Sequence, residues 1–220
     1  WQKRIPGQLV IQLTDRCNAH CPQCGMRVTN RFSRSTLAVD TIKRILDAAA
    51  RKGVKAVSFT GGEPLLYLDE LKILIKHAAD VGIDFTRTGT NGYLFRHHRA
   101  PDYQQKVGRI AEALAQTPLR TFWISLDSAI PHIHEKMRGF PGVVRGIEKA
   151  LPIFHDHGIY PSVNLGINRN VGGDYTLKSE HFQSLSNADY IQALYWDFYH
   201  AFHEFYRFVI NLGFTISNAC

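Results

Sequence analysis

Six short apolar segments recur along the 220-residue chain, and a segment with helical periodicity separates each from the next. The strand-like segments begin near residues 9, 55, 83, 120, 159 and 213. Strands that alternate with helices form consecutive βα units, which build a parallel sheet with right-handed crossovers. The pattern therefore predicts an α/β fold, a partial (β/α)6 TIM-like barrel with parallel strands.

The helical segments place apolar side chains such as Leu71 and Leu74 on one face. They predict helices over residues 39–48, 68–81, 102–116, 142–157 and 189–212. The last helix is aromatic on more than one face, which predicts packing against the barrel. The fifth strand is predicted over 159–167, with Pro161 and Gly166 inside it as weak points, and the sixth strand is predicted over 213–217.

Composition indicates one globular unit. The chain is 45% hydrophobic and 20% charged, which is enough to bury a sizeable core. We expect a single core domain over 1–220, with a C-terminal extension missing after residue 220. No apolar run reaches the roughly 18 residues of a membrane span, so we expect no membrane segment. The net charge of +7 comes from scattered basic residues, which indicates a solvated surface rather than a nucleic-acid site.

Three of the four cysteines follow the first strand within the loop 15–26. Cys17, Cys21 and Cys24 have C-x3-C-x2-C spacing. Thiolates select iron–sulfur clusters, zinc or Cu(I), and three thiolates on a four-iron cluster leave one iron open. The spacing alone leaves alternatives, namely zinc completed by His20 or by a distant residue, or a disulfide. Clustered thiols favour a reducing compartment, so we expect the cytoplasm.

Polar motifs also follow the next strands. Gly61-Gly62-Glu63-Pro64 ends the second, Thr90-Asn91-Gly92 ends the third, and Ser125 and Asp127 end the fourth. In βα barrels the site lies at the carboxyl ends of the strands. We therefore predict that these motifs share one rim with the cysteine loop. Paired glycines there let the backbone approach a ligand without an intervening Cβ.

These motifs, in this order, resemble those of a known family. TDRCNAHCPQC and SFTGGEPLL are similar to the cluster loop and the glycine-glycine-glutamate motif of the radical S-adenosylmethionine (radical SAM) superfamily. The segments TNG and ISLDS look most like its branch of molybdenum-cofactor cyclases and peptide-modifying, SPASM-like enzymes. The resemblance implies reductive cleavage of S-adenosylmethionine to a 5′-deoxyadenosyl radical, which abstracts hydrogen from a substrate. The protein then orients the cofactors and excludes water.

The resemblance implies two cofactors, a [4Fe-4S] cluster and S-adenosylmethionine, and it implies which residues hold them. Cys17, Cys21 and Cys24 are the implied metal ligands. The implied contacts of S-adenosylmethionine are Gly61, Gly62, Glu63, Ser125, Asp127, Asn164, Gln23 and Ile216.

The roles implied for these contacts differ. Glu63 accepts from the cofactor's amino group, Ser125 and Asp127 lie near the ribose, and Ile216 flanks the adenine. Gln23 departs from the family pattern, in which an aromatic residue usually precedes the third cysteine. A hydrogen bond from Gln23 is then expected in place of aromatic packing on the adenine.

A competing hypothesis is a non-enzymatic zinc or iron–sulfur binding module on an α/β barrel scaffold. Within the enzyme class, S-adenosylmethionine could instead serve methyl transfer or be regenerated. The implied partners are a small-molecule or peptide substrate and an electron donor such as flavodoxin or ferredoxin, with neither a membrane nor a nucleic acid. The pairs His132/His134 and His200/His203 lack a clear carboxylate partner, so we predict no second metal site there. Cys220 is either a structural thiol, a second-sphere donor or an auxiliary-cluster ligand.

Overall fold

A computed structural model describes residues 7–22, 24–27, 33–166 and 186–219. Six strands form one sheet, every pairing is parallel, and the strand order follows the chain. The strands are β1 (Leu9–Thr14), β2 (Ala56–Gly61), β3 (Phe85–Thr90), β4 (Thr121–Ser125), β5 (Ser162–Leu165) and β6 (Ile216–Ala219). Among the described residues no pairing joins β6 to β1, so the barrel is open there. This topology confirms the predicted partial barrel.

Within the described ranges, six α-helices connect the strands. They are α1 (Val39–Arg51), α2 (Leu68–Asp80), α3 (Tyr103–Ala115), α4 (Pro131–Arg138), α5 (Val143–Asp156) and α6 (Asn187–Leu212). Five of them match the predicted helices closely at both ends. Their apolar stripes are buried, as Leu71, Leu74 and Ile75 of α2 are, because burying one face is what holds an amphipathic helix on a sheet.

The two faces of the sheet differ in polarity. Ile11 is in register with Phe59, and both side chains are buried in the core that the helices cover. On the same face Phe122 stacks on Phe154 of α5, with ring centroids 5.3 Å apart. Because successive side chains of a strand point to opposite faces, the intervening residues, among them Trp123, lie on the other face. That polar face is where the strands' carboxyl ends build a cavity.

The sequence did not predict α4, and it placed β6 too early. Helix α4 has only eight residues and one buried apolar face, which is too short for a periodic pattern to show. Strand β6 begins at Ile216 because Gly213, with φ of +101°, caps α6 and the N–H of Phe214 donates to the carbonyl of Val209 at 3.1 Å, so both residues belong to the end of the helix. Strand β5 is short because Pro161 and Gly166 lie just outside its two ends.

Helix α6 buries only one of its aromatic faces. Ala201, Phe205 and Val209 face the core, whereas Tyr195 and Ile210 are 60% and 66% exposed. An apolar groove of about 890 Å³ runs along the exposed side. No helix in the described part of the chain is long and apolar enough to cross a membrane.

Candidate active site

The cysteine loop is held at the carboxyl end of β1 by contacts to the segment that precedes α1. The backbone N–H of Asp15 donates to the carbonyl of Ser35 at 2.8 Å, and the hydroxyls of Thr14 and Thr36 share a hydrogen bond of 2.8 Å. Within the loop, the N–H of Cys24 donates to the carbonyl of Cys21 at 3.2 Å. The start of the cysteine loop is therefore anchored to the segment that precedes α1.

The three thiols fit an iron–sulfur cluster. Cys17, Cys21 and Cys24 are all free, and Cys21 is 7% exposed. Thiolates are the usual protein ligands of such clusters, and a cubane binds each of them on a separate iron. Three thiolates would leave one iron of a four-iron cluster without a protein ligand.

Hydrogen bonds also reach the sulfur of Cys17. The backbone N–H of Ala19 lies 3.4 Å from this sulfur, and the amide nitrogen of Asn91 lies 3.5 Å from it. Burial raises the pKa of the Cys21 thiol, while the positive charge of Arg138 lowers it. The protein thus supplies donors and a positive charge where thiolates would form, and such groups tune a cluster's potential.

The glycine pair lets the end of β2 approach the cysteine loop. The N–H of Gly62 donates to the carbonyl of Thr14 at 2.7 Å, and that of Glu63 donates to the carbonyl of Arg16 at 3.0 Å. A Cβ on Gly61 would overlap the carbonyl oxygen of Thr14, and one on Gly62 would overlap that of Arg16. Their small size therefore allows the two backbones to pack closely, and their contact with a ligand stays a prediction.

Glu63 is completely buried at this junction. Its Oε1 accepts the N–H of Leu65 at 3.1 Å, and its Oε2 accepts the N–H of Asn91 at 2.7 Å. Burial raises the pKa of this carboxyl to about 7, although those hydrogen bonds act in the opposite direction. A protonated amino group placed beside a buried carboxyl with such a pKa would favour the ionised carboxylate.

Asn91 joins three of the predicted motifs. Its backbone N–H donates to Glu63, and its side-chain amide donates to Asn18 Oδ1 at 2.9 Å, as well as approaching Cys17. Its own Oδ1 accepts the N–H of Tyr93 at 2.9 Å. The turn after β3 therefore fixes the position of the buried carboxyl relative to the cysteine loop.

Asp127 forms a buried ion pair. Nε and Nη2 of Arg138 donate to its two carboxylate oxygens at 2.7 and 2.8 Å. On its other side, the N–H of Asp127 donates to Nδ1 of buried His134 at 3.1 Å. Burial opposes ionisation, yet contacts with His134 and Arg138 hold the pKa of Asp127 well below its usual range. Both carboxylate oxygens are already engaged.

A cavity of about 300 Å³ brings the predicted residues together. Its wall includes Cys17, Cys21, Cys24, Gly61, Gly62, Glu63, Ser125, Asp127 and Asn164. Gln23 lies outside the described residues, as does Cys220, and of Ile216 only the main chain in β6 is described. The apolar groove on α6 is larger but contains none of these motifs, so the chemistry places the site in the smaller cavity.

The wall also contains residues that were not predicted as site residues. Asn91 and Trp123 belong to strands whose polar ends the sequence did identify. The ring of Trp123 lies over Gly89, where a Cβ would overlap it, so this pair could have been found only from the register of β3 and β4. Arg138 was missed because α4 was missed.

Comparison with known proteins decides the family. The model of the radical SAM superfamily matches residues 11–178, which is more than half of the chain. The chain belongs to the radical SAM superfamily. Its cofactors are accordingly a [4Fe-4S] cluster and S-adenosylmethionine, and it is an enzyme rather than a non-enzymatic binding module. As a radical SAM enzyme it needs a reductant and a substrate.

The chain is similar to two kinds of curated radical SAM proteins. It is 33% identical over 148 residues to the GTP 3′,8-cyclase of Vibrio atlanticus, a match that covers 66% of this chain and 42% of the relative. It is 32% identical over 138 residues to the PqqA peptide cyclase of Rhodopseudomonas palustris, covering 63% and 33%. The chain thus spans less than half the length of these relatives.

Solved structures show the same fold. SuiB from Streptococcus suis superposes with a TM-score of 0.63 at 21% identity, covering 98% of this chain and 39% of SuiB. Native anSMEcpe with bound AdoMet superposes with a TM-score of 0.54 at 16% identity, covering 76% and 45%. Both likenesses extend over most of the strands and helices that surround the cavity.

Proposed function

We propose that the 300 Å³ cavity is the shared site of the [4Fe-4S] cluster and S-adenosylmethionine, and that an external substrate reacts there. The observation that carries the proposal is the network through Asn91, which ties the loop of Cys17 to the buried carboxyl of Glu63. When bound, the cluster supplies the electron that cleaves S-adenosylmethionine reductively to a 5′-deoxyadenosyl radical. The roles below belong to the protein's own residues.

The thiolates of Cys17, Cys21 and Cys24 hold the cluster and leave one iron without a protein ligand. Donors from Ala19 and Asn91 stabilise the negative charge on the Cys17 sulfur. A loop whose start is anchored by hydrogen bonds lowers the entropic cost of binding, because part of its order is already present.

Glu63 pairs with the amino group of S-adenosylmethionine. Its pKa of about 7 supports this role, since an ammonium group beside it stabilises the carboxylate. Ser125 and Asn164 are aligned in register on β4 and β5, and both line the cavity, so we assign them polar contacts to the ribose. Asp127 holds Arg138 at the same rim through both of its carboxylate oxygens, and it stays a predicted contact of the ribose. Gln23 and Ile216 stay predicted contacts of the adenine.

The substrate is proposed to be a small molecule or a peptide that enters from the open polar face of the sheet. The names of the relatives, a GTP cyclase and a peptide cyclase, support these two classes. A one-electron donor such as flavodoxin or ferredoxin supplies the reducing equivalent. We propose the cytoplasm as the location, because free thiol ligands require a reducing compartment.

The test is formation of 5′-deoxyadenosine under anaerobic conditions with dithionite and S-adenosylmethionine. The reconstituted protein should form it, and Cys17→Ala should lose both the iron and the product. His20→Ala is the matched control, because His20 is exposed in the same loop and is assigned no ligand role. Loss of bound metal in His20→Ala, or no product from the unaltered protein, would contradict the proposal.

A further inference from the structure

Arg138 reaches the active-site wall from α4 and belongs to none of the motifs that identify the family. The side chain of Arg138 is 14% exposed, and the side chain of Asp127, its ion-pair partner, is 1% exposed. A buried ion pair adds little net stability, because desolvation of both charges offsets most of their attraction. Stability alone therefore does not account for placing this pair beside the cysteine loop.

The pair lies beside the thiols. Arg138 lines the same cavity as Cys17, Cys21 and Cys24. Asp127 lines this cavity too, but its side chain is only 1% exposed, against 14% for that of Arg138. Of the two charged side chains beside the cysteines, Arg138 is therefore the more exposed.

Arg138 is also the sole cationic side chain among the described residues of the cavity wall. Two other ionisable groups there, Glu63 and Asp127, carry negative charge when ionised. Two guanidinium hydrogen bonds of 2.7 and 2.8 Å join Arg138 to the Asp127 carboxylate, and the backbone N–H of Asp127 donates to His134 Nδ1, so the guanidinium cannot move away freely. The positive charge is therefore fixed in position.

We infer that Arg138 raises the reduction potential of the cluster by presenting a fixed positive charge to its thiolate ligands, and that Asp127 acts as the residue that positions Arg138. The inference rests on the cluster site proposed above. An external one-electron donor reduces the cluster, and the reduced form carries one more negative charge than the oxidised form. A nearby cation stabilises the reduced form more, and this effect is strong where burial limits screening.

The experiment is a redox titration of the reconstituted cluster, followed by electron paramagnetic resonance and carried out without S-adenosylmethionine. Leaving out the cofactor removes any contribution from a contact between Arg138 and the cofactor. Arg138→Gln should shift the midpoint potential to a more negative value than that of the unaltered protein. Asp127→Asn removes the negative partner, so it should shift the potential in the opposite direction.

The two variants are expected to shift the midpoint potential in opposite directions. Damage to the fold would not produce that pattern, so the signs identify an electrostatic effect. Arg138→Lys keeps the charge and should retain most of the potential, and Lys76→Gln, which changes an exposed charge on α2, should leave it unchanged. If Arg138→Gln fails to assemble a cluster, the midpoint potentials of Asp127→Asn and Arg138→Lys still test the inference.

Unchanged potentials in Arg138→Gln and Asp127→Asn would overturn the inference, as would shifts of the same sign. Weaker binding of S-adenosylmethionine in Arg138→Gln with an unchanged potential would likewise overturn it. Absence of a cluster from the unaltered protein would instead contradict the proposed function.

Discussion

At the scale of single residues, Glu63 is the most constrained group in the site. It is fully buried, it accepts two backbone N–H groups, and its pKa is raised from 4.5 to about 7 by burial. A carboxyl that keeps its proton in the folded protein but releases it in the unfolded chain makes stability depend on pH. This dependence can be measured without either cofactor.

The contribution of Glu63 to the free energy of unfolding of the metal-free protein should fall as pH rises from about 4.5 to 7 and stay at the lower level above that, because the folded state holds the proton of Glu63 in this interval and the unfolded state does not. Burial lowers the pKa of His134, so His134 contributes in the opposite direction below about pH 6.5, and the Glu63 contribution is the difference between the unaltered protein and Glu63→Gln. This difference is at most about 3.5 kcal/mol, since each pKa unit corresponds to about 1.4 kcal/mol. Urea unfolding at pH 5 and pH 8 measures it.

Glu63→Gln should reduce this slope, because the variant has no carboxyl to titrate at that position. Glu204→Gln changes an exposed glutamate on α6 and should leave the slope as it is. An equal slope in Glu63→Gln and in the unaltered protein would contradict the assignment of the buried proton to Glu63.

At the scale of elements, the site depends on how closely the end of β2 approaches the end of β1. The backbone of Gly62 lies against the carbonyl of Arg16, and a Cβ has no room there. Because the obstacle is backbone rather than a flexible side chain, relief requires moving the cysteine loop itself.

Gly62→Ala should therefore destabilise the protein by about 1 to 3 kcal/mol, the usual cost of overpacking. It should also lower the amount of iron retained, because the displaced loop carries Cys17. Gly108→Ala is the control, since a Cβ there comes no closer than 4.0 Å to other atoms and the helix α3 gains a better helix former. Thermal unfolding and iron analysis of both variants provide the measurements, and equal behaviour of the two would contradict this account.

Most elements could be predicted from the sequence because each carries enough residues to show a period. Strand and helix alternation identified five helices and six strands, and β2, β3 and β4 lie close to their expected starts. Helix α4 could not be predicted, because eight residues with a proline at the start show no repeat. The start of β6 could not be predicted either, because Gly213 and the apolar Phe214 resemble strand residues in the sequence but form the cap of α6.

The site was predictable where its residues belong to motifs at strand ends, as Cys17 and Glu63 do. The partner of Asp127 was not, because Arg138 lies 11 positions later on an unpredicted helix. The reason for Gly61 and Gly62 was also inaccessible, since it depends on the distance between two backbones. The sequence shows which side chains lie at the carboxyl ends of the strands. Only the tertiary structure shows which of them already have hydrogen-bond partners.

At the scale of the whole molecule, six parallel strands bring the residues of one site to the same edge of the sheet. Helices cover the apolar face, and the carboxyl ends of the strands bring cysteines, a buried carboxyl and an oriented ion pair into one cavity. The central claim is that three protein thiolates leave one iron of the cluster open for S-adenosylmethionine.

That claim is tested most directly by electron paramagnetic resonance of the reconstituted, reduced protein with and without S-adenosylmethionine. The account predicts a [4Fe-4S] signal that changes when the cofactor is added, because the cofactor binds the iron that lacks a protein ligand. A cluster signal that the cofactor leaves unchanged, or zinc in place of iron after anaerobic preparation, would contradict it.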